Sequence, residues 1–228
     1  MTSPHHSNHA AAICRRAFTL IELLVVITII AVLAGLLFPV LGLVRQHSWQ
    51  TAGVSNMRQV GAAFVLYAAD HNFELPSPAN RSGSLDRWPR ALSKYLSDVT
   101  VYAAPGMADN YVARKVDPIA NSPNNTSYLM NGFNDLGGFD NPDVQIRLSQ
   151  VESPGNTLLL GMQKPGSRHF YMDFLEPPHG NQKDRLELKA YREGSNYTFV
   201  DGSARFIAEK DYRDELWLAN KAYKIPEL

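Results

Sequence analysis

The chain has 228 residues, and its 22 Lys and Arg residues balance its 22 Asp and Glu residues to a formal net charge of zero. A chain without a basic excess lacks the electrostatic pattern of most nucleic-acid-binding domains, so we expect no nucleic-acid partner. The single cysteine, Cys14, lies near the N-terminus, which leaves the rest of the chain without a disulfide or a cysteine-bound zinc.

The polarity of the chain changes abruptly near residue 17. Residues 1–16 are polar and end in Arg15-Arg16, whereas Glu22 is the only ionisable side chain between Phe18 and Val44. As a helix this stretch is about 40 Å long at ~1.5 Å per residue, longer than a hydrocarbon core of about 30 Å. A secretory signal peptide has an apolar region of only about 7–15 residues, so we predict a transmembrane helix over residues 18–44.

Glu22 is the residue that an ordinary membrane anchor does not explain. A carboxylate in an apolar span costs ~2.5 kcal/mol or more, and such residues are usually functional and paired. If the chain is cut before Phe18, the new α-amino group can pair with Glu22 of a neighbouring subunit and set the register between subunits. The alternative is a tolerated surface Glu near the membrane interface.

The segment Arg15-Arg16-Ala17-Phe18-Thr19-Leu20-Ile21-Glu22-Leu23-Leu24 resembles the prepilin-type cleavage and methylation motif of type IV pilins and type II secretion pseudopilins. The resemblance implies that a membrane prepilin peptidase cuts after Ala17 and methylates the amino group of Phe18. It also implies that Glu22 is needed for assembly into a homo- or hetero-oligomeric filament on a secretion or pilus platform. One position departs from the family, which usually has Gly where Ala17 stands.

The basic residues beside the span set its expected orientation. Arg15 and Arg16 precede the span, so the positive-inside rule places the N-terminus in the cytoplasm and residues after Val44 outside. Arg45, at the other end, opposes this assignment slightly. We therefore expect a single-pass protein of the bacterial inner membrane with a periplasmic head, and an extracytoplasmic filament after assembly.

An apolar stripe predicts that the helix continues beyond the membrane. Met57, Val60, Phe64 and Tyr67 recur at helical spacing and extend one apolar face to about Asp70. Within the helix, Pro39 permits a kink and two glycines are expected to weaken it locally, Gly53 and Gly61. We thus expect a leader over 1–17, the span over 18–44, an amphipathic continuation over 45–74 and a globular head over 75–228.

The head is predicted to combine short strands with irregular loops. The expected elements are a short helix over Pro89–Leu96, strands over Ser127–Met130 and Thr157–Leu160, a hairpin of half-buried strands over Asn196–Val200 and Ser203–Ile207, and a closing helix with Trp217, Leu218 and Tyr223. Asp201-Gly202 suits a two-residue type I′ turn between the hairpin strands. The predicted class is α+β and pilin-like, a long N-terminal helix packed on a small antiparallel sheet.

The head also resembles, more weakly, a group of pseudopilin-like proteins with a C-terminal His, nine residues and then Asp-Gly. Asp201-Gly202 matches this pattern, but Tyr191 occupies the His position. Because the His of this pattern is missing, we do not expect a metal-binding or catalytic role for it in this chain.

Few residues of the head suggest chemistry. His169, Asp173, Glu176 and His179 have the residue types of a metal site but match no zinc spacing, and we expect solvated loop residues. No nucleophile elbow or phosphate-binding glycine loop is present, so we predict no catalytic residues and no enzyme. Buried packing is the expectation for three aromatic residues that are also candidates for ligand binding, Trp88, Tyr111 and Tyr171.

Calcium is the one cofactor that we keep as a candidate. Asp135, Asp140 and Asp143 supply oxygen ligands in a loop, although they lack the EF-hand order, and Gly137-Gly138 with Pro142 indicate turns. Some secretion pseudopilins that the chain resembles hold calcium in the head. Otherwise we expect no cofactor.

Three functions are compatible with these observations. The leading hypothesis is a structural subunit of a type II secretion-like pseudopilus. An adhesive or DNA-uptake type IV pilin is the alternative within the same class. A membrane-tethered binding protein or hydrolase that uses the motif only as an anchor is the alternative from another class.

Overall fold

The computed structural model describes residues 18–77, 87–107, 126–137, 144–165, 167, 170–172 and 185–222. It contains two compact units, Met1–Leu43 and Val44–Leu228. Two α-helices and five strands are described: α1 Leu20–Asp70, α2 Trp88–Leu92, β1 Tyr128–Asn131, β2 Leu158–Met162, β3 Tyr171–Met172, β4 Gly194–Phe199 and β5 Ala204–Ala208. A long N-terminal helix with a small sheet confirms the predicted α+β, pilin-like arrangement.

The first unit holds the apolar half of α1. The large apolar side chains from Phe18 to Val44 are exposed to solvent, many of them by more than half. In the described part of the chain, α1 is the one helix that is long and apolar enough to cross a membrane.

The second half of α1 supplies one side of the core of the second unit. Its buried residues follow a helical stripe: Gly53, Met57, Val60, Gly61, Ala63, Phe64 and Ala68. The helix ends at Asp70, where the apolar pattern predicts. Asn72 adopts a left-handed conformation and the Phe73 N–H donates to the Ala68 carbonyl at 2.7 Å, which is the long hydrogen bond of a Schellman cap.

The sheet has the strand order β3-β1-β2-β4-β5. Three of its pairings are antiparallel, but β1 and β3 run parallel, so the sheet is mixed and the prediction of an antiparallel sheet is wrong at this edge. The two predicted strands in the middle of the chain are present, each shifted toward its C-terminal end by one or two residues, as β1 and β2.

Strand β4 is buried on both faces, so the prediction of half-buried hairpin strands is wrong for it. Tyr197 and Phe199 enter an apolar cluster that also contains Trp217. On the opposite face, Asn196 Nδ2 donates to the Gln50 carbonyl of α1 at 2.8 Å, and Thr198 Oγ1 donates to the Met57 carbonyl at 3.1 Å. The polar side chains of β4 therefore face the backbone of α1 instead of water.

Two glycines of α1 make this close packing possible. A Cβ atom on Gly61 would lie 2.6 Å from the Gly202 carbonyl oxygen, and one on Gly53 would lie 2.7 Å from Asn196 Nδ2. Real Cβ atoms do not approach other atoms so closely, because van der Waals repulsion becomes prohibitive. These glycines, which we expected only to weaken the helix, are the positions where α1 meets the sheet.

The turn between β4 and β5 differs from the predicted two-residue type I′ turn. The Gly202 N–H donates to the Phe199 carbonyl at 2.9 Å, and the Phe199 N–H donates to the Ser203 carbonyl at 2.8 Å. Only Gly202 in this turn has positive φ, at +84°, whereas a type I′ turn needs positive φ at both central residues. The loop is the three-residue form with one left-handed residue at its end.

Two predicted helices are shorter than expected. The predicted Pro89–Leu96 helix is α2 followed by a 3-10 turn over Ser93–Tyr95. The predicted closing helix is a 3-10 turn over Asp214–Trp217, in which Trp217 is fully buried and donates through Nε1 to the Tyr212 hydroxyl at 2.9 Å. Tyr223 lies outside the described residues.

Candidate functional site

The N-terminus of α1 is closed by a capping box formed by Thr19 and Glu22. The Thr19 backbone N–H and its hydroxyl each donate to Glu22 Oε2 at 2.8 Å, and the Glu22 N–H donates to Thr19 Oγ1 at 3.3 Å. Thr19 thereby satisfies one of the helix N–H groups that have no partner within the helix, and Glu22 satisfies the N–H of the cap residue itself.

This arrangement gives Glu22 a local function that the sequence reasoning missed. The signal was present, because Thr followed three residues later by Glu ahead of an apolar run is typical of a capping box. Both hydrogen bonds that Glu22 accepts end on Oε2. Within the described part of the chain, Oε1 accepts none, so the carboxylate retains an oxygen for a second partner.

The residues of the predicted cleavage site lie immediately before this cap. Phe18 is 73% exposed. Ala17, Arg15 and Arg16 lie outside the described residues, so their part of the predicted site stays a prediction.

Of the three predicted calcium ligands, Asp135, Asp140 and Asp143, the structure describes only Asp135, so the calcium site stays a prediction. Asp135 is half-buried and its Oδ2 accepts a hydrogen bond from the Asn220 N–H at 2.6 Å. Burial raises the pKa of Asp135, although hydrogen bonds from the backbone of Asn220 and Ala219 oppose this shift. Asp140 and Asp143 lie outside the described residues.

Asp135 thus fixes the C-terminal segment to the loop after β1, which is a structural role. The cluster of possible metal-binding residue types lies wholly outside the described residues, namely His169, Asp173, Glu176 and His179. Among the residues that are described, no group of three or more His, Cys, Asp or Glu side chains is placed to hold a metal ion.

Tyr191 and Asp201 lie at opposite ends of β4. Tyr191 precedes the strand, is buried and donates through its hydroxyl to the Pro105 carbonyl at 3.2 Å. Burial raises its pKa. Asp201 follows the strand, where its Oδ1 accepts from the Ser203 N–H at 2.9 Å. A strand of six residues spans about 20 Å at ~3.3 Å per residue, so the two positions do not form one site within a subunit.

The aromatic candidates are packing residues where they are described. Trp88 is fully buried and donates through Nε1 to the Phe170 carbonyl at 2.9 Å, and Tyr171 is half-buried in β3. The expectation of buried packing is therefore confirmed for Trp88. Tyr111 lies outside the described residues.

Comparison with known proteins supports the interpretation of the N-terminus. Residues 14–38 match the family model described as the prokaryotic N-terminal methylation motif. The comparisons with curated proteins and with solved structures found no match. The matched range contains the predicted cleavage position, the capping box and most of the exposed apolar helix. The chain therefore carries a prokaryotic N-terminal methylation motif, which supports a type IV pilin-like protein of the prepilin type.

Proposed function

We propose that the protein is a structural subunit of a type II secretion-like pseudopilus, cut after Ala17, methylated on Phe18 and assembled through its N-terminal helix. The observation that carries the proposal is the capping box placed at the start of a helix whose apolar side chains stay exposed from Phe18 to Val44. Exposed apolar patches larger than a few hundred Å² are rare on soluble monomers and mark membrane or protein contacts. The membrane covers these apolar side chains before assembly, and the helices of neighbouring subunits cover them afterwards.

Glu22 is the residue that gives this assembly a register. The new amino group of Phe18 in one subunit and the Glu22 carboxylate of its neighbour are oppositely charged groups in an apolar surrounding. Each is costly there alone, because a lone ion in a low-dielectric medium loses several kcal/mol of hydration energy. The free Oε1 of Glu22 supports this pairing, since the carboxylate can accept a second partner without giving up its bonds to Thr19.

The rest of the proposal follows from the same segment. Arg15 and Arg16 keep the leader in the cytoplasm, the span lies in the inner membrane, and the head faces the periplasm. The prepilin peptidase and an assembly platform are the expected partners. We expect no nucleic acid and no catalytic activity, and calcium near Asp135 is the one cofactor candidate. The domain boundaries at residues 17, 44 and 74 stay predictions.

Deletion of the encoding gene in its own organism tests the secretion role. We expect a set of extracellular proteins to be retained in the periplasm, while cell adhesion and uptake of DNA are unchanged. Complementation with wild-type protein restores export, and complementation with the Glu22→Ala variant does not. Normal export in the deletion strain together with lost adhesion or DNA uptake would replace the pseudopilus with a type IV pilus.

A further inference from the structure

A stacked pair of side chains stands directly after the apolar span. Val44 is the last residue of the apolar run, and Arg45 is the next residue along α1. The Arg45 guanidinium carbon lies 4.6 Å from the centroid of the Trp49 ring, four residues further along the helix. Arg45 is exposed and Trp49 is half-buried, so the pair lies at the surface.

The ring of Trp49 also packs closely against the loop that contains Gly106. Gly106 has a φ of +80°, and a Cβ atom there would lie 2.5 Å from Trp49 Cε3. Only glycine meets both conditions without strain. Two hydrogen bonds fix this loop: Asn56 Nδ2 donates to the Ala103 carbonyl at 3.2 Å, and the Tyr191 hydroxyl donates to the Pro105 carbonyl at 3.2 Å.

The polar groups of the pair have no partner in the part of the chain that the structure describes. Arg45 forms no ion pair with a carboxylate there, and the Trp49 indole N–H has no acceptor. An exposed guanidinium stacked on an indole ring presents several donors at one surface position, and guanidinium groups bind phosphate oxygens in a bidentate way. Trp and basic residues are the types that collect where a membrane span meets the headgroups.

We infer that Arg45, stacked on Trp49 and supported by Gly106, binds the phosphate of an anionic phospholipid headgroup at the surface of the membrane that the preceding span crosses. The inference rests on the membrane-anchored part of the proposed function. The occupant is a lipid because the site begins one residue after the apolar run, at the depth of the headgroups. Since stacking removes rotamer freedom from Arg45 in advance, less conformational entropy is lost when the phosphate binds.

The experiment uses the full-length protein in vesicles of phosphatidylcholine with a minor share of phosphatidylglycerol. In one preparation the phosphatidylglycerol carries bromine on its acyl chains, and in the other an equal amount of phosphatidylcholine does. Bromine quenches nearby tryptophan fluorescence. Trp88 and Trp217 are fully buried in the head and give a constant background, which the Trp49→Phe variant measures directly.

We expect the quenching of Trp49 to indicate about five-fold enrichment of phosphatidylglycerol over phosphatidylcholine, the factor typical of one basic residue at an anionic surface. Arg45→Gln should bring the ratio to one, because the cation is lost while the ring remains. Arg58→Gln is the matched control: Arg58 is also exposed on α1, but it lies thirteen residues, or about 20 Å, further from the span, so the ratio should not change.

Several results would overturn the inference. Equal quenching by the two brominated lipids in the wild type would do so, as would an Arg45→Gln variant that keeps the enrichment. Loss of the enrichment on adding millimolar inorganic phosphate would assign the site to a free anion. Flotation of the vesicles is measured first, and a protein that does not float with them contradicts the membrane anchor itself, and with it the proposed function.

Discussion

The capping box and the proposed pair between subunits make different demands on Glu22, and substitutions can separate them. Glu22→Gln keeps an acceptor oxygen for Thr19 and therefore keeps the capping box, but it removes the charge. Thr19→Val keeps the charge and removes the hydroxyl that accepts from and donates to Glu22. Glu22→Ala removes both the box and the charge.

The expected magnitudes differ enough to decide between the two roles. Loss of a helix cap costs about 0.5–2 kcal/mol, whereas breaking a buried ion pair by removing one partner costs about 3–5 kcal/mol. At ~1.4 kcal/mol per factor of ten, Thr19→Val destabilises the first turn of α1 by about 2- to 30-fold, which is the most by which it can weaken a subunit contact. By the same conversion, Glu22→Gln weakens it by about 10²- to 10⁴-fold.

Filaments sheared from cells that express each variant provide the assay, with subunit in the sheared fraction measured against total processed subunit. We expect the leader to be removed in all three variants, filaments to be absent for Glu22→Gln and Glu22→Ala, and filaments to persist at reduced yield for Thr19→Val. Normal filaments from Glu22→Gln with none from Thr19→Val would refute the pairing and leave helix capping as the role of Glu22.

Three further predictions concern the second unit, Val44–Leu228. Gly61→Ala should destabilise this unit by about 1–2 kcal/mol, because overpacking against the Gly202 carbonyl outweighs the ~1 kcal/mol gained in helix propensity. Thermal unfolding followed by circular dichroism in detergent measures this, and Gly42→Ala, with open space around it, is the control that should leave the stability of the unit unchanged. Phe73 has a φ of +61° and is 63% exposed. Phe73→Gly should raise the unfolding temperature, because it relieves about 1 kcal/mol of strain from the left-handed backbone conformation. A lower unfolding temperature would show that the contacts of the Phe73 side chain outweigh this strain. Burial raises the pKa of Asp135 above its ordinary value of 3.8, so the folded state binds a proton at this carboxyl more readily than the unfolded state. The free energy of unfolding of the wild type should therefore fall relative to that of Asp135→Asn as the pH rises from 3 to 7. An opposite trend would mean that the hydrogen bonds from the C-terminal backbone to Asp135 dominate.

The elements with local causes were predictable from the sequence. The apolar stripe that ends near Asp70 fixed the end of α1, because a helix with one apolar face continues as long as that face can be buried. The capping box at Thr19 and Glu22 is equally local, because Thr followed three residues later by Glu ahead of an apolar run is typical of this cap.

The features that depend on distant partners were not predictable. Asn196 and Thr198 occupy the polar positions of an alternating strand, which usually face water, yet here they bond to carbonyls of α1 more than 140 positions earlier in the chain. Nothing in the alternation indicates that a helix covers that face. The functions of Gly53 and Gly61 were hidden for the same reason, since a close approach requires both partners to be known. The parallel pairing of β3 with β1 was not predictable either, because the residues of the two strands do not indicate the path of the chain between them.

Mass spectrometry of the intact protein, purified from the membranes of its own organism, tests the central claim most directly. The account predicts an N-terminus at Phe18 that carries one methyl group on its amino group. An intact Met1, or an N-terminus beyond Pro39, would contradict it.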